Sequence, residues 1–155
     1  MKRILVPVDG SDDSLQAVRA AICQAKSPSG AKIHLLNVQP RVFSEETLNF
    51  MPVEKIDIYY YDRGGKALAP AEKLLLEAGV PFVSHRLVGP VAETILAKQR
   101  DLGCDSIVMS TQGHGRIVGA LLGSISARVL HLAQVPVTLV KNATGPDFRG
   151  RLNAT

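Results

Sequence analysis

Apolar residues fall along this chain in two alternating arrangements. Short runs, largely unbroken and rich in β-branched side chains, lie at Ile4 to Val8, Ile33 to Val38 and Ile107 to Met109. Such runs mark strands buried on both faces of a parallel sheet. Phe82 to Val88 alternates imperfectly, and Val137 to Val140 closes the series. Between the runs the spacing turns helical: Leu15, Val18, Ala21, Ile22 and Ala25, then Leu68, Ala71, Leu74, Leu75 and Ala78, then Val91, Ile95, Leu96 and Leu102, and last Ile125, Val129 and Leu132. Strand and helix in strict alternation predict a doubly wound α/β fold, with right-handed crossovers placing helices on both faces.

The punctuation agrees with this order. Asp9, Gly10 and Ser11 form a turn and cap signature after the first run, Lys26 to Gly30 breaks the first helix, and Gly79 stops the second. Pro70 conflicts with an unbroken helix, so that helix is expected to begin near it or to kink. Arg41 to Tyr61 is the least legible stretch, with Pro40 and Pro52 as breakers and a Tyr59, Tyr60, Tyr61 cluster. A flap over the sheet edge, a partner surface and a mobile connection all remain open there, and the role of 41–66 is unassigned.

The chemistry concentrates in Ser106 to Ser126, which reads as strand, glycine loop, helix. Gly113, Gly115, Gly119 and Gly123 lie in the loop, and Ser124 reads as an N-cap. Such a junction aims backbone N–H groups and the positive end of a helix dipole past the strand's carboxyl end, where a phosphate fits. Glycines after a strand also make ordinary turns. The loop is not a Walker loop, having no Lys-Ser or Lys-Thr after a glycine, and it is a poor dinucleotide fingerprint. Asp9 stands at the carboxyl end of the first strand, where open α/β sheets bind ligands, although a turn-forming aspartate is the plainer role. His114 is placed to bond a phosphate or to face solvent. His34, inside a strand with no second ligand at metal spacing, reads as a satisfied structural histidine.

The loop resembles that of the universal stress protein family, G-x-x-G, nine residues, then G-S or G-T. Here the pattern runs Ser110, Thr111, Gln112, Gly113, then His114 to Leu122, then Gly123 and Ser124. Ser110 stands where ATP-binding members usually carry the first glycine. Serine fits if the backbone there has negative φ, and is strained if it needs positive φ. The resemblance extends from Ile4 to Lys141 and includes the opening VPVDGS and the closing QVPVTLVK.

That resemblance implies a Rossmann-like sheet of five parallel strands in the order 3-2-1-4-5, related to the adenine nucleotide alpha hydrolases. The ends of strands one and four then border one crevice. It further implies an adenine-nucleotide site, ATP with or without magnesium, drawn from Pro7, Val8, Asp9, Val38, Met109, Ser110, Gly113, His114, Gly115, Gly123, Ser124, Ile125 and Ser126. A homodimer through Val137 to Val140 follows from the same source, as an apolar edge strand is either hidden or used. The implied function is that of a stress-response regulator. A nucleotide-free interaction protein, a slow ATP hydrolase and a phosphohydrolase using Asp9 to hold a metal are the alternatives.

Composition narrows the rest. At 155 residues and 46% hydrophobic, one domain over 1–141 is expected, with 142–155 as a flexible polar tail. The formal charge is +4, but Lys and Arg are scattered without interleaved aromatics, which argues against nucleic acid. Cys23 and Cys104 form no C-x-x-C pair and read as buried free thiols, as suits a reducing cytoplasm. Asp9, Asp12 and Asp13 cut the opening apolar run too short for a signal peptide, and no run approaches membrane-spanning length.

Overall fold

The computed structural model describes residues 1–113 and 122–142. Its strands are β1 (Lys2–Pro7), β2 (Ala31–Gln39), β3 (Phe82–Val88), β4 (Ser106–Ser110) and β5 (Val137–Val140). All pair in parallel, in the order β3-β2-β1-β4-β5. The helices among the described residues are α1 (Asp12–Ala25), α2 (Glu45–Phe50), α3 (Val53–Ala78), α4 (Val91–Leu102) and α5 (Ser124–Leu132). The doubly wound α/β sheet expected from the alternating pattern is therefore present, in the implied strand order.

Alternation within each strand sorts the core into two layers. Ile4 and Val6 of β1, Ile33 and Leu35 of β2 and Val108 of β4 pack with Ala17, Val18, Leu68, Ala71 and Leu75 of α1 and α3. Leu5, Leu36, Val38, Ile107 and Met109 point the other way and meet Ala92, Ile95, Leu96 and Val129 of α4 and α5. Side chains two apart share a face, so the central strands feed both layers, while the edge strands β3 and β5 also carry exposed residues such as Val83 and Thr138.

Several boundaries correct the sequence reading. β1 ends at Pro7, although Val8 N–H still donates to Leu36 O at 2.9 Å, so the ladder outlasts the strand by one residue. The stretch from Arg41 to Tyr61 is helical over much of its length, and α3 begins at Val53 and continues past Pro70 rather than beginning near it. Proline withholds its own N–H from the ladder and crowds the carbonyl of Lys66, while Leu68, Ala71 and Leu75, all fully buried, hold that half of the helix on the sheet. Packing overrides the local propensity. Within the same helix, Gly64 and Gly65 make room for Arg86 of β3: a Cβ on Gly65 would lie 3.1 Å from the Arg86 guanidinium. Cys104 is buried as expected, whereas Cys23 is exposed on α1. Asn142, at the start of the tail, donates to Asp13 Oδ1 at 2.7 Å, and the rest of the tail lies outside the described residues.

His34 is satisfied, as expected of a structural histidine. Its Nδ1 lies 3.0 Å from Nε2 of His85 on β3, and the two rings stack with centroids 5.3 Å apart. Burial first, then the charges of Lys32, Arg3 and Lys98, push the His34 pKa below its ordinary value. His85 is lowered in the same way by burial and by Lys98, His34 and Lys32.

Candidate functional site

The strand order reverses between β1 and β4, and a cleft of about 190 Å³ opens at their carboxyl ends. This is where an open α/β sheet leaves a crevice, because the crossovers from the two central strands depart to opposite faces. Pro7, Val8, Asp9, Val38, Met109, Ser110, Gly113, Gly123, Ser124, Ile125 and Ser126 all border it. Sequence had singled out each of these. His114 and Gly115 fall outside the described residues.

Asp9 serves the turn and faces the cleft at once. Its Oδ1 accepts from the backbone N–H of Ser11 at 2.9 Å and from the Ser11 hydroxyl. Ser11 in turn caps α1, accepting from Ser14 N–H at 3.2 Å. The other carboxylate oxygen, Oδ2, lies against Gly113, where any Cβ would collide with it. Gly113 does not have positive φ, so space rather than backbone freedom requires glycine here.

The Ser110 position is unstrained. Among the described residues no side chain other than hydrogen is carried at positive φ, so serine adopts this backbone without penalty. Its hydroxyl donates to Gln112 O at 2.7 Å and closes the turn that leaves β4. Thr111 O then ties the two ends of the loop together. It accepts from Gly123 N–H at 2.7 Å and from the Ser126 hydroxyl at 2.6 Å.

Gly123, not Ser124, is the N-cap of α5, and no side chain among the described residues caps the helix. Ser124 is the first helical residue. The expected serine cap is absent because Ser126, one turn in, bonds backward to Thr111 O and Gly123 O instead. The opening N–H groups of a helix lack intrahelical acceptors, and without a side-chain cap they remain available to an anion alongside the dipole's positive end. Ser124, Ile125 and Ser126 carry that helix start along the cleft.

Part of the lining is apolar and was largely missed. Leu36, Val91 and Ile95 line the cleft beside Val38, and Ser14, Gln112 and Leu122 complete it. Leu36 was findable, since it shares a strand face with Val38 two places on. Val91 and Ile95 stand four apart on α4, one helical turn, but only the tertiary fold brings that turn to the ends of β1 and β4. Across the neighbouring surface Arg128 of α5 pairs with Glu93 of α4. The Glu93 carboxyl is held below its usual range by a hydrogen bond to its own backbone and then by Arg128.

An apolar lining and a helix start share one cleft, which suits a ligand with a flat ring and a phosphate. The universal stress protein family model matches residues 1–141. This chain belongs to that family. It is 34% identical over 142 residues to the universal stress protein MJ0531 of Methanocaldococcus jannaschii, covering 90% of this chain and 82% of the relative. Among solved structures, the hypothetical protein MJ0577 superposes with a TM-score of 0.80 at 24% identity, covering 93% of this chain and 98% of that one. At that identity the match bears on fold alone. A universal stress protein solved in complex with cAMP is 26% identical, with a TM-score of 0.66, covering 90% of this chain and 96% of its own.

Proposed function

We propose that this member of the universal stress protein family is a cytoplasmic regulator that binds an adenine nucleotide, ATP in the first instance, in the cleft between β1 and β4. It works by binding rather than turnover, as one domain over 1–141. The observation that carries this reading is the pairing of the uncapped α5 start with the apolar wall of Leu36, Val38 and Ile95 in one cleft. The former suits phosphate and the latter a purine ring. A relative that binds cAMP supports an adenine ligand. Asp9, Gly113, Gly123, Ser124 and Ser126 are the residues assigned to the polar side of the site. His114 and Gly115 are assigned to it on the resemblance alone. The dimer proposed through β5 rests on its place at the sheet edge, where a two-fold axis lets two copies extend each other's ladders.

Thermal unfolding with magnesium-ATP tests the assignment. At a hundred times its dissociation constant, the ligand should stabilise the fold by about 2.7 kcal/mol, a shift of roughly 5 to 11 °C for a chain of this size. Gly113→Val should abolish the shift, because its side chain would displace the Asp9 carboxylate. Absence of any shift at millimolar ATP, AMP or cAMP would favour the nucleotide-free interaction protein. Steady release of phosphate at rates typical of enzymes would favour the hydrolase.

A further inference from the structure

Packing along α3 changes at one place, and the sequence changes with it. From Gly64 onward the helix buries Gly64, Leu68, Ala71 and Leu75. From Val42 to Arg63 no residue is buried, and Tyr61 is 62% exposed. The boundary falls on two successive glycines, Gly64 and Gly65. Glycine is the weakest helix former after proline, because its backbone has the most freedom to lose, so the helix is least stiff where its burial begins. Pro70, shortly beyond, withholds the N–H that would bond the Lys66 carbonyl and thins the ladder further.

The exposed part holds together as one body. Phe43 stacks edge-on against Tyr59 and Tyr60 at 4.9 and 5.7 Å, and Val42 N–H donates to the Tyr60 hydroxyl at 3.1 Å. Its tie to the sheet is Arg86 of β3. That guanidinium lies 3.9 Å over the Tyr61 ring and donates to Tyr61 O at 3.1 Å, and among the described residues no other hydrogen bond joins 42–63 to the strands. Beneath the overhang, at the ends of β2 and β3, is a hollow of about 170 Å³ bordered by Gln39, Leu87 and Val88.

We infer that residues 42–63 are a hinged flap over the ends of β2 and β3, turning at Gly64 and Gly65 and latched by Arg86 on Tyr61. The glycine pair serves hinge and latch together, since a Cβ on Gly65 would lie 3.1 Å from the guanidinium. A cation over an exposed ring and one hydrogen bond are modest holds beside the burial of Leu68, Ala71 and Leu75. Release of the latch therefore frees the flap without loosening the core, and bares Gln39, Leu87 and Val88. Fraying from the amino end is a different motion: it would loosen Val53 most and each later residue less.

Amide hydrogen exchange of the full chain, read residue by residue, separates the two. Amides from Val53 to Arg63 should exchange at a common rate, with a step of about tenfold or more down to those from Leu68 to Ala78. Arg86→Ala should speed the first group several-fold and leave the second unchanged. Gly64→Ala brings a Cβ to 3.4 Å from the Arg86 side chain, an ordinary contact, so it keeps the latch and stiffens the hinge. It should slow the flap's exchange about fivefold. Rates that fall smoothly from Val53 inward, equal rates in the two halves, or a Gly64→Ala variant that exchanges like the parent would each overturn the proposal. So would an Arg86→Ala variant in which both halves speed up alike.

Discussion

Two regions stand beyond the carboxyl ends of the strands, and they are built on opposite terms. At β1 the chain enters α1 within a few residues, and the described residues that leave β1 and β4 are pinned: Asp9 to Ser11, Ser110 to Gln112, Thr111 to Gly123 and Ser126. At β2 and β3 the chain leaves Gln39, forms α2, and returns through a helix whose first turns overhang the sheet. The cleft is dictated by topology, because any sheet wound in this order must open where its direction reverses. The overhang is dictated by no such rule. Its shape depends on where one helix happens to start, and nothing in the fold obliges a partner there.

The contrast is sharpest within α3 itself, where it yields the largest expected effect. Leu68→Ala removes a fully buried side chain from the layer shared with α1 and β2 and should cost about 2 to 5 kcal/mol. Ile58→Asp, on the overhang, should stay within about 0.5 kcal/mol. Urea midpoints at a common slope measure both. Comparable losses at the two positions would mean that the overhang packs against something in the isolated protein, and the division of the helix would fail.

This division also explains what the sequence could convey. The buried strands and the glycine loop were legible because burial on both faces leaves an unbroken apolar run and a close approach leaves a glycine, whereas the strand order and its reversal point came with the family resemblance. Gly113 is the clearest case, since the space beside Asp9 admits no Cβ. The helix through Pro70 was not legible, because it depends on tertiary packing of Leu68, Ala71 and Leu75 that no local pattern reveals. The cap on α5 was misassigned to Ser124 for a related reason. A serine two residues later takes the loop's carbonyl, and only the fold brings Thr111 within its reach.

A smaller effect should separate the two sides of the sheet by pH. The bond between His34 and His85 joins β2 to β3, the strands that floor the overhang, and takes no part in β1 or β4. Both imidazoles are held below their ordinary value of 6.5 by burial first and by nearby cations second. The unfolded chain therefore takes up protons near pH 6.5, while the folded chain resists until lower pH. Stability is full above about 6.5 and declines as pH falls toward the folded value. Hydrogen exchange at pH 5.5, still above the carboxylate range, should show β3 amides losing protection before those of β1 and β4. His85→Gln should flatten the dependence. Uniform loss across the sheet would indicate that the pair is not what responds.

The smallest effect concerns Ser110, on the cleft side, and it tests whether pinning there serves the ligand or only the turn. The hydroxyl donates to Gln112 O rather than into the cleft, and the backbone at this position is one that any L-residue adopts. Ser110→Gly therefore deletes one partly buried hydrogen bond and adds backbone freedom to the unfolded chain, together about 1 to 2 kcal/mol of stability. Because neither loss touches the α5 start or the space beside Asp9, the shift induced by magnesium-ATP should be preserved or enlarged. Ser110→Ala isolates the hydrogen bond, and should cost roughly 0.5 to 1.5 kcal/mol with the ligand shift intact. A parent that fails to respond to ATP while Ser110→Gly responds clearly would mean that the serine side chain itself obstructs the phosphates. The cleft would then be pinned shut rather than pinned in readiness.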